Sequence, residues 1–165
     1  MEMRIEALAN AHDISSFTSG VEPLDTWLKQ VAGQHSRKGI SRSYAAVATA
    51  NTVVGYYSLT VTEIDREALP ADLAKKLPRK LPAVLIGRLA VSLAVQGQGV
   101  GKALLVDALQ RIVMTSEQVG VALILVDAKD DSAARFYEHF GFRRLPEDQR
   151  RLALPVATAK AALSR

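Results

Sequence analysis

The sequence contains no cysteine, and this absence removes several kinds of chemistry at once. Disulfide bonds, thiolate metal ligands and a cysteine nucleophile are all excluded. No apolar run approaches the length of about 18 residues that a membrane-spanning helix needs, and the first residues lack the apolar core of a secretory signal. The three histidines, His12, His35 and His139, are isolated and predict no metal site. We therefore expect a cytoplasmic protein without a membrane segment.

The composition is that of an ordinary soluble domain with a mild excess of positive charge. Hydrophobic residues make up 48% and charged residues 23%, which is ordinary for a soluble globular protein. The length of 165 residues favours a single domain spanning 1–165. The net charge of +4 is compatible with a polyanionic partner. The basic residues occur in groups, which are either solvated surface charge or contacts to such a partner: Arg37, Lys38 and Arg42; Lys75, Lys76, Arg79 and Lys80; and Arg143, Arg144, Arg150 and Arg151.

The spacing of apolar residues predicts alternating strands and helices around one sheet, hence an α/β or α+β fold. Strands are predicted at 3–8, 44–49, 53–61, 84–95, 121–126, 142–144 and 151–154. Helices are predicted at 24–34, 102–117, from Ser132 as N-cap to Gly141, and at 156–163. The proline-containing segment 65–82 is predicted to be mostly loop with a short helical turn.

A glycine-rich turn, Gln96–Lys102, joins the long predicted strand to the second helix. A strand, a tight turn and a helix in that order collect backbone N–H donors at a helix N-terminus, which suits a phosphate or pyrophosphate. The spacing matches neither the Walker pattern nor a dinucleotide fingerprint. The alternative is a turn that needs glycine only for its left-handed backbone.

A second motif, Ala133–Phe142, follows the glycine turn by about 35 residues. Together, Gln-x-x-Gly-x-Gly at 96–101 and Ala-x-x-Phe-Tyr-x-x-x-Gly-Phe at 133–142 resemble the GNAT acetyltransferase superfamily. The resemblance implies the GNAT fold, a central mixed and mostly antiparallel sheet flanked by helices. It also implies acetyl-coenzyme A (acetyl-CoA) as cofactor, with its pyrophosphate on the glycine turn.

Other segments narrow the resemblance to the GNAT toxins of bacterial toxin–antitoxin pairs. They lie at 17–28, 41–44, 54–59, 87–91 and 152–156. This branch implies acetylation of the α-amino group of aminoacyl-tRNA, which blocks translation. It also implies a ribbon-helix-helix antitoxin and a homodimer as partners.

The resemblance assigns the cofactor contacts to two stretches of the chain. The strand edge at Leu89, Ala90 and Val91 would pair with the pantetheine arm, and one N–H there would polarise the thioester carbonyl; as side chains, the three also suit plain strand core. Lys102 is otherwise a surface lysine, and Asp130 departs from the asparagine that many relatives carry. The remaining contacts implied are Gln96, Gly97, Gln98, Gly99, Val100, Gly101, Ala133 and Phe136.

Tyr137 is our expected general acid for the leaving thiolate, since a phenol with a pKa near 10 donates to a thiolate of pKa about 8.5 or higher. The alternative is a tyrosine that packs beside Phe136. No carboxylate on the central strand stands out as a general base, and the weakly basic α-amine of an aminoacyl ester needs little assistance. Glu63 and Asp65 are either helpers or solvated acids.

Arg88 lies within an apolar run and is expected either in a structural ion pair or at the acceptor end of the RNA. The other expected RNA contacts are Arg37, Lys38, Arg42, Lys75, Lys76, Arg79 and Lys80. Two other functions stay open. One is acetylation of a small-molecule or protein amine, and the other is a non-catalytic module that binds RNA or the cofactor.

Overall fold

The computed structural model describes all residues from 1 to 165. Seven strands are formed: β1 (Arg4–Ala7), β2 (Arg42–Val47), β3 (Val53–Asp65), β4 (Lys80–Val91), β5 (Leu123–Asp127), β6 (Arg143–Leu145) and β7 (Asp148–Pro155). Six α-helices accompany them: α1 (Glu22–Gln30), α2 (Ala32–Lys38), α3 (Ala71–Ala74), α4 (Val100–Ser116), α5 (Asp131–His139) and α6 (Val156–Leu163). None of the helices combines the length and hydrophobicity that a bilayer span requires.

The strands form one mixed sheet in the order β1-β2-β3-β4-β5-β7-β6. The pairs β1·β2, β2·β3, β5·β7 and β6·β7 are antiparallel. The pair β4·β5 is parallel, with Ala83–Ile86 beside Leu123–Val126. The mostly antiparallel sheet flanked by helices confirms the predicted fold class.

The residues group into two compact units, of which the first comprises 1–60 and 87–108 and the second 61–86 and 109–165. Each unit has its own hydrophobic cluster. The first unit buries Phe17, Trp27, Leu28, Ala32, Ala45, Val47, Val53, Tyr56 and Ala90. The second buries Ile64, Leu69, Leu81, Ala83, Leu123, Leu125, Leu145 and Ala153.

The helix predicted at 24–34 is two helices in the structure. The break falls at Val31, where φ is −119°, and α2 then continues to Lys38, beyond the predicted end at residue 34. Gly39 ends α2 in the left-handed conformation, with φ at 71°. A short polar stretch with one buried residue, Ala32, gives too weak an apolar stripe for a periodicity argument to detect.

Two further boundaries differ from the prediction. The loop predicted up to Pro82 already contains the start of β4, where exposed Lys80 and Pro82 alternate with buried Leu81 and Ala83. Pro82 has no N–H to give to the sheet, but its carbonyl oxygen accepts a hydrogen bond from Ala122 N–H at 2.9 Å. The prediction that Ser132 caps α5 is wrong, because α5 begins one residue before it.

Candidate functional site

The glycine turn has the backbone geometry that its sequence suggested. Gly97 and Gly99 have φ angles of 81° and 83°, a region that side chains with a Cβ rarely enter. The N–H of Ala103 bonds to Gly99 carbonyl oxygen at 3.0 Å, so the N–H groups of the three preceding helical residues have no intrahelical acceptor. No protein atom lies within 4 Å of a Cβ built on either glycine. Open space and free donors therefore coincide at the start of α4.

Gln96 holds this turn in place with its side chain. Its Nε2 donates to the carbonyl oxygen of Val91 at 2.9 Å and to that of Ser19 at 3.1 Å. The amide thus ties the turn to the end of β4 and to the segment before α1. We predicted Gln96 as a cofactor contact, and the structure gives its side chain a positioning role.

Gly55 permits the first turn of α4 to lie close to the sheet. A Cβ added to this β3 residue would sit 2.9 Å from Leu104 Cδ1, 3.2 Å from Val100 Cγ1 and 3.2 Å from the carbonyl oxygen of Ala90. Gly55 was not among the predicted site residues, although a glycine inside a strand is a known sign of close backbone approach.

The end of β4 carries the predicted pantetheine-binding residues. Ala90 is 4% exposed and belongs to the core of the first unit, whereas Leu89 and Val91 are half-buried. Immediately after them, Ser92 N–H bonds to the carbonyl oxygen of Val54 at 2.8 Å. These side chains are partly core, as the alternative reading held, so any cofactor contact here would use the backbone.

Tyr137 lies on α5 in the second unit and is 5% exposed. Phe136 and Phe142 pack edge-on against its ring, with centroids 5.3 and 5.7 Å away. Its hydroxyl has no protein hydrogen-bond partner. The ring is therefore fixed by packing while the phenolic proton is uncommitted.

The electrostatics keep Tyr137 protonated. Burial raises the pKa of its hydroxyl well above the usual value, and the negative charge of Asp127 raises that pKa further. Asp127 is itself held by Arg151, whose Nε and Nη2 donate to its two oxygens at 2.7 and 2.8 Å. The phenol can thus donate a proton throughout the physiological pH range, and it cannot serve there as a base.

Asp130 is the N-cap of α5. Its Oδ1 accepts the N–H of Ala133 at 2.8 Å, which satisfies one of the donors left free at a helix start. A capping carboxylate explains why aspartate works here as well as asparagine, since both are strong N-caps. Ala133 and Phe136, the other predicted contacts in this helix, are half-buried.

Arg88 makes no ion pair, so that interpretation is wrong. Its guanidinium carbon lies 3.9 Å from the centroid of the Trp27 ring, a cation–π contact. The Trp27 ring is in turn stacked with Tyr56 at 6.0 Å and 8° between planes, and His35 meets it edge-on at 5.7 Å. Burial lowers the pKa of Arg88, a residue that stays half-exposed.

The predicted RNA contacts fall in both units. Arg37, Lys38 and Arg42 are exposed in the first unit, and Arg42 Nη1 donates to the carbonyl oxygen of Ser36 at 2.5 Å. Lys75, Lys76 and Arg79 are exposed in the second unit. These six cations therefore face solvent.

Lys80 differs from the other lysines because two acids hold it. Its Nζ lies 2.8 Å from Asp65 Oδ1 and 3.7 Å from Glu63 Oε1. The hydrogen bond from Lys80 lowers the pKa of Asp65, which makes this carboxylate a weaker base. Both acids are exposed ion-pair members on β3 rather than loop residues.

Comparison with known proteins identifies the family. Residues 41–144 match the model of the acetyltransferase (GNAT) domain. A tRNA-acetylating toxin of Mycobacterium tuberculosis is 35% identical over 156 residues, which cover 94% of this chain and 93% of the toxin. This chain belongs to the GNAT acetyltransferases.

Other relatives also match nearly the whole of this GNAT chain. A probable toxin TacT of Sinorhizobium fredii is 29% identical, with 93% of this chain and 91% of the relative covered. Among solved structures, AtaT complexed with acetyl-methionyl-tRNAfMet is 30% identical with a TM-score of 0.91, covering 98% of this chain and 99% of that chain. A tyrosine-to-phenylalanine mutant of KacT is 32% identical with a TM-score of 0.92, and it also covers 98% of this chain and 99% of that chain.

Proposed function

We propose that this GNAT acetyltransferase is a toxin that transfers an acetyl group from acetyl-CoA to the α-amino group of aminoacyl-tRNA and thereby blocks translation. We further propose that residues 1–165 act as one catalytic domain. The observation that carries the proposal is the 35% identity to a tRNA-acetylating toxin over 94% of this chain. The likeness to AtaT in complex with acetyl-methionyl-tRNAfMet supports the same acceptor.

The residues of the glycine turn fit the pyrophosphate of acetyl-CoA. The free N–H groups of Val100, Gly101 and Lys102 lie at the positive end of α4. They follow two glycines at which an added Cβ would meet no protein atom within 4 Å. Gln98 and the Lys102 ammonium group would add contacts to phosphate oxygens. A structure of AtaTR bound with AcCoA, 30% identical with a TM-score of 0.86, supports this cofactor.

Three further contacts complete the proposed binding of the cofactor. The backbone of Leu89–Val91 would pair with the pantetheine arm, and one N–H there would polarise the thioester carbonyl. Ala133 and Phe136 would supply apolar contacts from α5. Asp130 would act through the α5 N-terminus, which it caps.

When bound, acetyl-CoA supplies the acetyl group as a thioester. As the carbon–nitrogen bond forms and the carbon–sulfur bond breaks, Tyr137 would donate its phenolic proton to the departing sulfur. The new amide nitrogen would release its extra proton to solvent, and the phenolate would take a proton back from solvent. Because Glu63 and Asp65 are committed to Lys80, we assign no general base. The α-amine of an aminoacyl ester is largely neutral near pH 7, so it can attack without one.

The acceptor RNA would be held mainly by cations. We propose contacts from Arg37, Lys38 and Arg42 in the first unit, from Lys75, Lys76 and Arg79 in the second, and from Arg88 at the acceptor end. Lys80 should contribute least, since Asp65 already neutralises it. Binding through phosphates should weaken steeply with salt.

We also propose a ribbon-helix-helix antitoxin, a homodimer and a cytoplasmic location for this chain. A mutant of AtaT has been solved bound to the C-terminus of the antitoxin AtaR, and it is 27% identical to this chain with a TM-score of 0.86. A KacTA–DNA complex is 30% identical with a TM-score of 0.84. These relatives support a toxin that is neutralised by a cognate protein.

The decisive experiment is acetyl transfer from labelled acetyl-CoA to total charged tRNA. Label should appear on charged tRNA and be absent from deacylated tRNA. The Tyr137→Phe variant should bind coenzyme A normally but lose about 10²- to 10⁴-fold in rate, the usual contribution of a general acid.

Other outcomes would favour the other functions. Label on polyamines, lysine or protein but not on RNA would change the acceptor. RNA binding and growth inhibition that survive Tyr137→Phe, with no labelled product, would indicate a non-catalytic module.

A further inference from the structure

Arg88 is a half-buried cation whose hydrogen-bonding capacity the protein leaves unused. Its guanidinium carbon lies 3.9 Å from the centroid of the Trp27 ring, and that indole is only 8% exposed. A cation–π contact uses the charge above the ring but none of the five N–H donors. The donors and the positive charge are therefore available to a ligand.

The groups around Arg88 do not neutralise it. Tyr56 of β3 is a neutral phenol, since burial raises its pKa, and its hydroxyl donates to a backbone carbonyl of α1. His35 of α2 lies edge-on to the same indole and brings no negative charge. Asp25 of α1 keeps its negative charge but makes no salt bridge to Arg88. Its Oδ1 accepts hydrogen bonds from the backbone N–H and the hydroxyl of Ser19, at 2.9 and 2.6 Å.

Arg88 also stands directly before the residues to which we assign the thioester. Leu89 follows it on β4, and successive strand residues rise by about 3.3 Å. A unit positive charge is thus fixed within one to three residues of the proposed acetyl-transfer point. Any amine that reaches this point must enter the field of that charge.

We propose that Arg88 selects the acceptor by its protonation state, favouring a neutral α-amine and disfavouring an ammonium group. This inference rests on the proposed function. A nearby like charge disfavours the protonated form, so the bound amine loses its proton to solvent more readily. The nitrogen then carries its lone pair when the carbon–nitrogen bond forms, although no side chain accepts the proton.

The same field gives selectivity. The α-amine of an aminoacyl ester is less basic than a free α-amine, whose pKa is about 7.7–8.0, whereas a lysine or polyamine nitrogen has a pKa near 10.4. Arg88 lowers the ammonium pKa of either amine by the same amount, so the selectivity comes from the remaining charge. A polyamine keeps further ammonium groups when one nitrogen is neutral, and the nearby positive charge repels them, whereas an uncharged aminoacyl ester brings only its α-amine. Arg88 would therefore reject polyamines while accepting the charged end of tRNA.

Two variants separate charge from packing. Arg88→Met keeps an unbranched side chain against Trp27 and removes the charge, while Arg88→Lys keeps the charge and removes the planar fork. The readout is the single-turnover rate constant, with enzyme in excess over total charged tRNA, from pH 5.5 to 8. The ratio of kcat/KM for spermidine to that for charged tRNA is measured beside it.

We expect Arg88→Met to move the acid-side midpoint of the rate upward by about one pH unit, which is what a unit charge about 10 Å away produces at an effective dielectric constant of about 20. The same variant should raise the spermidine ratio at least about tenfold, and Arg88→Lys should keep the wild-type midpoint. An active Arg88→Met variant with an unmoved midpoint and ratio would overturn the inference.

A measurement on the wild type keeps the test independent of the variants. The acid-side midpoint in the enzyme complex should lie below the pKa of the α-amine in free aminoacyl-tRNA, and a midpoint at or above that pKa would also overturn the inference. If the wild-type enzyme leaves charged tRNA unlabelled, the proposed function itself is refuted. Failure of the proposed function can therefore be distinguished from failure of the inference about Arg88.

Discussion

The close approach between Gly55 and the first turn of α4 leads to a quantitative prediction for Gly55→Ala. The new methyl group would lie 2.9 Å from Leu104 Cδ1 and 3.2 Å from both Val100 Cγ1 and the carbonyl oxygen of Ala90. Carbon atoms in good contact are about 3.5–4.0 Å apart. Leu104 can turn its terminal methyl away, but Val100 on α4 and the carbonyl oxygen of Ala90 on β4 must each give way by a few tenths of an ångström, so the first turn of α4 shifts outward.

Overpacking of this kind costs about 1–3 kcal/mol, and we expect about 2 kcal/mol for Gly55→Ala. For a chain of this length, that corresponds to a fall in Tm of about 4–8 °C. The same shift moves the N–H donors at the start of α4 away from the phosphates. We expect the Kd for coenzyme A to rise about three- to tenfold, equivalent to about 0.7–1.4 kcal/mol.

The assays are thermal unfolding and calorimetric titration with coenzyme A. Gly120→Ala is the matched control, because no atom lies within 4 Å of its added Cβ and its φ is not positive. That control should change stability by less than about 1 kcal/mol and leave coenzyme A affinity unaltered. If Gly55→Ala behaves like Gly120→Ala in both assays, the close approach of α4 does not set the phosphate site.

Three other predictions concern single residues. Gly99→Ala places a residue with a Cβ at a φ of 83° and should lower the free energy of unfolding by about 1–2 kcal/mol, although no neighbour is displaced. It should also weaken coenzyme A binding, and an unchanged Kd by titration would contradict this. Ser43→Ala removes a buried hydroxyl that lacks a hydrogen-bond partner. Urea unfolding should therefore show a free energy of unfolding that is unchanged or higher by up to about 1 kcal/mol. A clear loss of stability would mean that the hydroxyl does make a hydrogen bond. Burial raises the pKa of Tyr137, so the contribution of this shift to the free energy of unfolding is fully present below pH about 10 and is lost as the pH rises through the folded-state pKa. Tyr137→Phe should therefore lose less stability than the wild type between pH 10 and 11. Parallel losses in the two proteins would contradict this explanation.

The sequence was sufficient for the fold class and for the glycine turn, because both leave strong local signals. Alternating and periodic apolar residues specify the strands and helices, and the left-handed conformations of Gly97 and Gly99 follow from their place between strand and helix. The family resemblance rested on two motifs, and the family match at 41–144 confirms it.

What the sequence did not reveal depends on contacts between distant residues. The Gln96 amide bonds to Ser19, a residue 77 positions away, and no spacing rule anticipates that choice over a phosphate contact. Asp130 rather than Ser132 caps α5 because the helix begins two residues earlier than the apolar pattern suggests. Arg88 was expected to have a carboxylate or RNA partner, and its packing on Trp27 depends on how α1 lies over β4.

The segment that begins at Ser19 serves the glycine turn and Arg88 at the same time. The carbonyl oxygen of Ser19 accepts a hydrogen bond from the Gln96 side chain, and the N–H of Ser19 donates to Asp25. Trp27, two residues after Asp25 on α1, makes the cation–π contact with Arg88. Point changes on the exposed side of this segment leave both contacts in place. Inserting or deleting one residue between Ser19 and Trp27 would rotate the indole by about 100° relative to the Ser19 anchor, since an α-helix has 3.6 residues per turn. Homologous chains should therefore vary here in composition far more freely than in length.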